Sequence, residues 1–257
     1  MQVARLILSF ALIFGPSPRL NSQQSVETPQ RDPRALSVLG QSLFAMGSTG
    51  QAIQDSVADG TITFSDGRSG KITLKSKGTD RIRNEVGLSS DESVMVVVAG
   101  KGHAVQANQT RPLPIWMTSY LRPNHIPVLS RISDSAKPNT KVLYIGLEDV
   151  KGQLAHHIRL SNLPASGKGA DIEEIISEFH VFVDAQTHLV VKTLSYDFSP
   201  VIVENRTPVE TYFSDYHLVS GVQVPFRITR YIRGSKDSEI FLSNVQFNVG
   251  LPDTHFQ

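Results

Sequence analysis

The sequence lacks several features that would define a function. It contains no cysteine, one tryptophan, and 25 basic against 24 acidic residues. Without cysteine, the chain forms no disulfide, thiolate nucleophile or cysteine metal site, and it carries no lipid-modified cysteine. The formal charge is +1 and no basic block stands out. Because nucleic-acid binding depends on a positive surface, we expect no nucleic-acid partner.

The one N-terminal apolar run is short. Arg5 precedes the stretch from Leu6 to Phe14, and Gly15 and Pro16 end it. A membrane-spanning helix needs roughly 20 apolar residues. A positive residue, a short apolar core and small polar residues, in that order, are typical of a secretory signal peptide. We therefore predict a signal peptide over residues 1–24, with a buried first helix as the alternative.

The rest of the chain, residues 25–257, is predicted to form a single domain. No linker or low-complexity tract divides it, and no other run is apolar enough to span a membrane. Without disulfides, such a domain depends on its apolar core, and roughly 230 residues are ample for one. We expect a monomer that is not membrane-spanning and is periplasmic or secreted, soluble after cleavage of the signal peptide.

One amphipathic helix is predicted at the start of this domain. Asp32 followed by Pro33 is a favourable N-cap and first helical residue. From Pro33 to Ala45, apolar residues recur at the spacing of one helical face, namely Leu36, Leu39, Leu43 and Phe44.

Most of the remaining chain has the pattern of β-hairpins. Alternating segments are separated by short turns such as Asp66-Gly67, Lys151-Gly152 and Ser220-Gly221. Hairpins that follow one another along the chain indicate an antiparallel meander. The pattern gives about 12 strands and two or three short helical pieces, which predicts a mainly β fold.

One segment interrupts the hairpins. From Gln109 to Ser135 the chain is largely apolar and has four prolines, which exclude one long helix. A proline-broken, apolar connection between two blocks of strands is a candidate lid or plug over the sheet. Its large side chains either face a ligand or pack the lid onto the core: Trp116, Met117, Tyr120 and Leu121.

Patterns for catalysis and metal binding are weak. His156 and His157 are adjacent in a predicted strand, so their side chains point to opposite faces and do not readily share a metal. The sequence has neither His-Glu-x-x-His nor Gly-x-Ser-x-Gly. We expect no catalytic residue, no metal and no cofactor. A further hypothesis is an enzyme of the cell envelope. Such an enzyme would require several polar side chains that converge in a deep pocket.

The stretch ETYFSDYHLVSGVQVPFRITRYIRG, residues 210–234, is a hairpin rich in aromatic residues. Alternation predicts that Tyr212 and Tyr216 share one face of its first strand and that Phe213 lies on the other. The return strand has one apolar face, formed by Val222, Val224, Phe226 and Ile228. Such a sheet is either partly open to an apolar ligand or a plain sheet with aromatic edges.

The order of these elements resembles the LolA/LolB-like periplasmic lipoprotein-carrier superfamily, of the outer-membrane lipoprotein-sorting type. The resemblance in layout covers most of the mature chain, and in residues it is carried by YFSDYHLVSGVQVPFRI and the terminal LSNVQFNVGLPDTHF. It implies an open (incomplete) antiparallel β-barrel with short α-helices that form a lid or plug, and an apolar cavity for acyl chains. The missing cysteine favours a soluble member over a membrane-anchored one.

The sequence thus predicts a soluble, non-catalytic carrier that binds an acyl chain, a lipid or a lipoprotein in the concave barrel face. Apolar residues of the helix, the proline-rich segment and the hairpin are expected to line the cavity or its lid: Leu36, Leu39, Phe44, Trp116, Met117, Tyr120, Leu121, Tyr212, Tyr216 and Phe226. The alternative is a structural or regulatory module of the same fold that binds an envelope protein. A carrier requires an open cavity, whereas the module predicts a filled one.

Overall fold

The structure, a computed structural model, describes residues 29–47, 52–88, 91–118, 121–163, 170–198 and 206–257. The predicted signal peptide and Tyr120 lie outside the described residues, and of Trp116 only the backbone is described. Within the described part, no helix is both long and apolar enough to cross a membrane.

The described strands form one antiparallel sheet of thirteen strands. Their bounds are β1 (Asp55–Phe64), β2 (Ser69–Lys77), β3 (Arg81–Leu88), β4 (Asp91–Val98), β5 (Lys101–Gln106), β6 (Gln109–Leu113), β7 (Thr140–Val150), β8 (Gln153–Asn162), β9 (Phe179–Asp184), β10 (Val190–Phe198), β11 (Arg206–Val219), β12 (Val222–Ile232) and β13 (Ser235–Phe247). Every strand pairs with its neighbours in sequence except at one place, between β6 and β7, and β1 pairs with β13. The result is a barrel left open between β6 and β7, which confirms the predicted fold.

One strand of the sheet, β6, was not predicted from the sequence pattern. Gln109–Leu113 was predicted to belong to the proline-rich segment, for which short helices or turns were expected. The structure makes it β6, paired only with β5. A proline is tolerated there because one side of an edge strand needs no hydrogen-bond partner.

The predicted helix α1 (Pro33–Ala45) has the expected bounds. Asp32 caps it, since its carboxylate accepts from the backbone N–H groups of Arg34 at 2.8 Å and Ala35 at 3.1 Å. Such a cap typically stabilises a helix by about 1 kcal/mol. At the other end Gly47 has a φ of +89°, and a Cβ there would lie 2.1 Å from the carbonyl oxygen of Gly221. Only glycine therefore allows the helix to end against the β11–β12 turn.

The open side of the barrel is crossed by the connection from β6 to β7, residues 114–139, here called the insert. It contains α2 (Ile115–Thr118) and two 3-10 turns, Pro127–Leu129 and Arg131–Ala136. Ile126 and Ile132 are fully buried, and they join α1 and the strands in one apolar cluster. We call the sheet face under α1 and the insert the inner face, and the opposite one the outer face.

The free edge of β7 is covered by the segment that leads into α1. The Asp32 N–H donates to the carbonyl of Val142 at 2.8 Å, and the Val142 N–H donates to the carbonyl of Gln30 at 2.9 Å. The guanidinium of Arg31 reaches the end of the insert and donates to the carbonyls of Ser135, Lys137 and Thr140. We call residues 30–32 the latch, because they join α1, the insert and β7.

The C-terminal segment packs on the outer face. The buried carboxylate of Asp55, at the start of β1, accepts from the N–H groups of Val249, Gly250 and Leu251 at 2.8 to 3.1 Å. These bonds hold Leu251 and Phe256 against Val96 of β4. The terminal NVGLPDTHF sequence is thus an anchored strap across the first strands.

The predicted sidedness of β11 was wrong. Tyr212 and Tyr216 were expected on one face, but Tyr212 packs on the outer face beside Phe182, whereas Tyr216 packs against the inner cluster together with Phe213. Asp215 between them has a φ of +56°. A left-handed residue breaks the extended alternation of side chains, so residues three apart reach the same face.

Candidate functional site

The predicted ligand residues are distributed over several environments. Leu39 is 1% exposed in the inner cluster, and Leu36, Tyr216 and Phe226 pack against it. Phe44, by contrast, is 71% exposed at the end of α1. Tyr212 lies on the outer face, where its ring meets Tyr231 edge-on at 5.3 Å. The structure therefore brings together four of these residues, on the inner face.

Tyr216 illustrates how closely the inner face is packed. Its hydroxyl donates to the carbonyl of Val190 on β10 at 2.6 Å. Burial raises the pKa of Tyr216 above its usual range, so the phenol stays protonated and its hydrogen bond is kept. The Tyr216 side chain therefore lines the inner face and links β11 to β10 through this hydrogen bond.

Met117 and Leu121, both predicted from the sequence, line a cavity of about 80 Å³. It lies where the insert meets the start of β9 and the end of β10, and its other lining residues are Asn124, Arg131, Ile176, Glu178, Phe179, Ser195, Tyr196 and Asp197. Binding sites for small molecules usually enclose roughly 300 to 1,000 Å³. In this conformation the cavity is too small for an acyl chain.

The insert carries buried charge that sequence reasoning missed. Asp134 is 3% exposed and forms ion pairs with Lys137 at 2.6 Å and with Arg122 at 3.4 Å. Arg131, also buried, stacks its guanidinium 5.2 Å from the ring centre of Phe179. From the sequence, only the large apolar side chains of this segment were named as candidates, and no prediction was made for its charged residues. Their burial depends on the insert lying across the barrel opening, which local patterns do not reveal.

His125 is a third buried ionisable group of the insert. Burial lowers its pKa to about 4, so the imidazole is neutral at neutral pH. Its Nε2 atom has no hydrogen-bond partner among the described residues. Protonation would place a charge on this buried side chain, whose Nε2 has no partner among the described residues.

Two histidines that were not predicted to lie together are in contact on the outer face. His157 of β8 and His180 of β9 are both 8% exposed, and their Nε2 and Nδ1 atoms lie 2.6 Å apart. His156, as predicted, points to the other face and contacts the hydroxyl of Tyr144 at 2.9 Å. Alternation predicted only that His156 and His157 point to opposite faces, and the proximity of His157 to His180 depends on the β8–β9 register.

A second depression, of about 390 Å³, lies on the outer face between β2, β3 and the C-terminal strap. Its walls are charged: Glu85 pairs with Lys75 at 2.9 Å and with Arg83 at 2.5 Å. Burial by itself would raise the pKa of Glu85. The hydrogen bonds that Arg83 and Lys75 donate outweigh this effect, so the pKa of Glu85 is lowered. A surface paired in this way offers no apolar contact to a lipid.

The described residues contain no group of three or more histidine, aspartate or glutamate side chains arranged to hold a metal. The structure instead shows an apolar cluster on the inner face, next to the latch. On the outer face it shows rows of ion-paired side chains.

Comparison with known proteins gives the fold. No family profile matches the sequence, and no curated protein matches it significantly. An outer membrane lipoprotein-sorting protein domain of Vibrio parahaemolyticus aligns with a TM-score of 0.54 and 11% identity, over 87% of this chain and 96% of that one. A DUF1329 family protein of Desulfovibrio piger aligns with a TM-score of 0.54 and 17% identity, over 88% and 98%. A LolA superfamily protein of Nitrosomonas europaea aligns with a TM-score of 0.52 and 14% identity, over 87% and 97%. The chain therefore has the LolA-like fold, as the resemblance in the sequence had indicated.

Proposed function

We propose that the protein is a soluble carrier of the cell envelope, present here in its closed state, which binds an acyl chain, a lipid or a lipoprotein on the inner face of the barrel. The observation that carries this proposal is the composition of the inner filling. The apolar wall of the sheet is covered by α1 and the insert, and the insert connects β6 and β7, which are the two end strands of the described sheet. The similarity in fold to a lipoprotein-sorting domain supports the same function.

Binding in this scheme is an exchange of apolar partners. A ligand chain takes the place of insert side chains such as Ile126 and Ile132, which are fully buried in the closed state. Burial of apolar surface is worth roughly 25 cal/mol per Å², but the ligand gains only the surplus over the contacts it displaces. The apparent affinity therefore falls in proportion to the fraction of molecules that are open.

The latch sets that fraction. Arg31 donates to three carbonyls around the end of the insert, at 2.6, 2.8 and 3.1 Å, and so joins the segment before α1 to the insert and the start of β7. Hydrogen bonds to a charged group are worth about 1.5 to 3 kcal/mol. Removal of the guanidinium is expected to raise the open fraction without changing the apolar wall.

The experiment compares fluorescent fatty-acid binding by the wild type, Arg31→Ala and Arg68→Ala. Arg68, which pairs with Asp66 in the exposed β1–β2 turn, provides the matched control. We expect Arg31→Ala to bind the probe about tenfold more tightly, the equivalent of about 1.4 kcal/mol, and Arg68→Ala to behave as wild type. Organic extracts of the purified protein, analysed by mass spectrometry, should contain the natural ligand. A lipid-free protein whose variants all ignore the probe would contradict the proposal.

The second candidate function is a module that binds an envelope protein, and the filled inner face favours it. A cavity of about 80 Å³ is what that alternative predicts. Crosslinking in envelope extracts distinguishes the two. Capture of one protein at the β6 edge or the insert, together with failure of every lipid probe, would favour the module.

A further inference from the structure

The outer face of β7 to β9 carries a continuous row of hydrogen-bonded side chains, here called the histidine row. His157 contacts a carboxylate oxygen of Glu148 through Nδ1 at 2.5 Å and His180 through Nε2 at 2.6 Å. His180 contacts a carboxylate oxygen of Glu178 through its own Nε2 at 2.9 Å. The second oxygen of Glu178 pairs with Arg206 at 3.2 Å.

The number of protons in this row follows from its geometry. Each histidine has one ring nitrogen against a carboxylate, and an ionised carboxylate only accepts, so both of those nitrogens carry hydrogen. If both rings were neutral, the two facing nitrogens would present lone pairs to each other at 2.6 Å. If both rings were charged, two N–H groups would face each other. Only three protons on the four nitrogens give a hydrogen bond between the rings.

Neighbouring rings hold the two imidazoles in position. Phe182 stacks on His157 with ring centres 4.3 Å apart, and Tyr196 meets His180 edge-on at 6.1 Å. Because both histidines are nearly enclosed, water does not readily replace the contact between them. The rings can part only if the strand or a neighbouring side chain moves.

Charged or titratable groups lie on every strand around the row. They are Glu148 and Lys141 on β7, Arg159 on β8, Asp184 on β9, Lys192 and Tyr196 on β10, and Arg206 and Glu210 on β11, with Glu174 of α3 (Ala170–Ile176) paired to Lys141. Burial lowers the pKa of His180, and the hydrogen bond that its ring donates to Glu178 opposes this effect. Burial would raise the pKa of Glu178, but its bonds to His180 and Arg206 outweigh this and lower it, which keeps Glu178 an acceptor.

We propose that His157 and His180 share a single proton, and that uptake of a second proton on acidification parts the two rings and loosens the start of β9 at Glu178. Glu178 also lines the cavity beside Met117 and Leu121. The row therefore connects Glu148, whose side chain is 47% exposed, to a wall of that cavity. This pH response is a property of the sheet itself and does not require that the protein carry a lipid.

The test is a pH titration of the ¹⁵N-labelled protein from pH 8 to pH 4, followed by the imidazole nitrogen and proton signals in NMR. At neutral pH we expect one proton coupled to both facing nitrogens, and a hydrogen on each nitrogen that faces a carboxylate. On acidification both rings should change together, and amide hydrogen exchange should accelerate at residues 155–160 and 178–184. Strongly coupled groups titrate as a pair, so two independent single-site curves would overturn the proposal.

Two variants sharpen the result. In His157→Gln, the His180 titration is expected to shift by about one pH unit or more, because the partner that shares the proton is gone. His217→Gln is the matched control, since His217 contacts the carboxylate of Asp215 at 2.9 Å in an exposed position. Its removal should leave the shared signal unchanged. An unchanged His180 titration in folded His157→Gln contradicts the proposal, and the wild-type signals decide the question if that variant does not fold.

Discussion

The two faces of one sheet are stabilised in different ways. The inner face is apolar and is covered by α1 and the insert, which meet the strands in a continuous cluster. The outer face has smaller apolar clusters, and between them run charged rows such as Lys75–Glu85–Arg83 and Glu148–His157–His180. We therefore expect the apolar contacts of the inner face to contribute most of the free energy of unfolding. The charged contacts of the outer face should make this free energy depend on salt and pH.

The largest effect is expected from a cavity on the inner face. Leu39→Ala removes a side chain that is 1% exposed at the centre of the inner cluster, and such truncations cost about 2 to 5 kcal/mol. Urea unfolding measures the loss. Leu154→Ala, at an exposed position on β8, is the control and should stay within about 0.5 kcal/mol of wild type. Equal effects of the two would refute the difference between the faces.

The next effect comes from acid acting on the inner filling. His125 has a pKa of about 4 in the folded protein, against about 6.5 when unfolded. The unfolded chain then binds more protons between these values, so stability should fall as the pH drops from about 6.5 to about 4, by about 3 kcal/mol in total.

His125→Leu should flatten this part of the pH profile, because it removes the titrating group and leaves an apolar side chain in an apolar site. Thermal unfolding at pH 7, 5.5 and 4 measures it. A variant that keeps the full acid sensitivity of the wild type would show that other groups are responsible.

A smaller effect is expected where the C-terminal strap is anchored to the outer face. Asp55→Ala leaves three N–H groups, those of Val249, Gly250 and Leu251, without their carboxylate partner. Buried donors that lose a partner cost about 1 to 3 kcal/mol. Amide exchange at residues 249–256 should accelerate before that of β1. If exchange in the strap is unchanged, Asp55 is not its anchor.

The smallest effect is expected from the partly exposed ion pairs of the outer face. Glu85→Gln should cost less than about 1 kcal/mol, since partly exposed ion pairs contribute little. Because the pKa of Glu85 is lowered in the folded state, its contribution is present above the unfolded pKa and is lost as the pH falls through the folded one. The difference between wild type and variant should shrink in 1 M salt, where the screening length is about 3 Å. A difference that survives both conditions would mean that Glu85 acts by packing.

Local signals in the sequence predicted local structure well. The Asp32-Pro33 start, the Leu36 and Leu39 spacing, and the Ser220-Gly221 turn depend on residues a few positions apart, and the helix and the turn formed as expected. The open barrel followed from the succession of hairpins and the resemblance to a known superfamily. These features need no knowledge of which distant strands meet.

The site was harder to predict because it is built from distant contacts. The burial of Arg131 and Asp134 depends on the insert crossing the seam, and the contact of His157 with His180 depends on the β8–β9 register. The reversal at Asp215 arose from one backbone angle that alternation cannot anticipate. The residue pattern of one strand does not show which strand lies beside it. It therefore cannot predict a site that is formed by side chains of two strands.

The pairing of β1 with β13 has a consequence for the order of folding. Thr61 lies opposite Phe241, so the first strand of the sheet gains its second neighbour only when the last strand has been made. A pairing between such distant parts of the chain forms slowly compared with the hairpins between neighbouring strands. A truncation before Ser235 would leave β1 without its β13 partner and would expose a new strand edge that can pair with other chains.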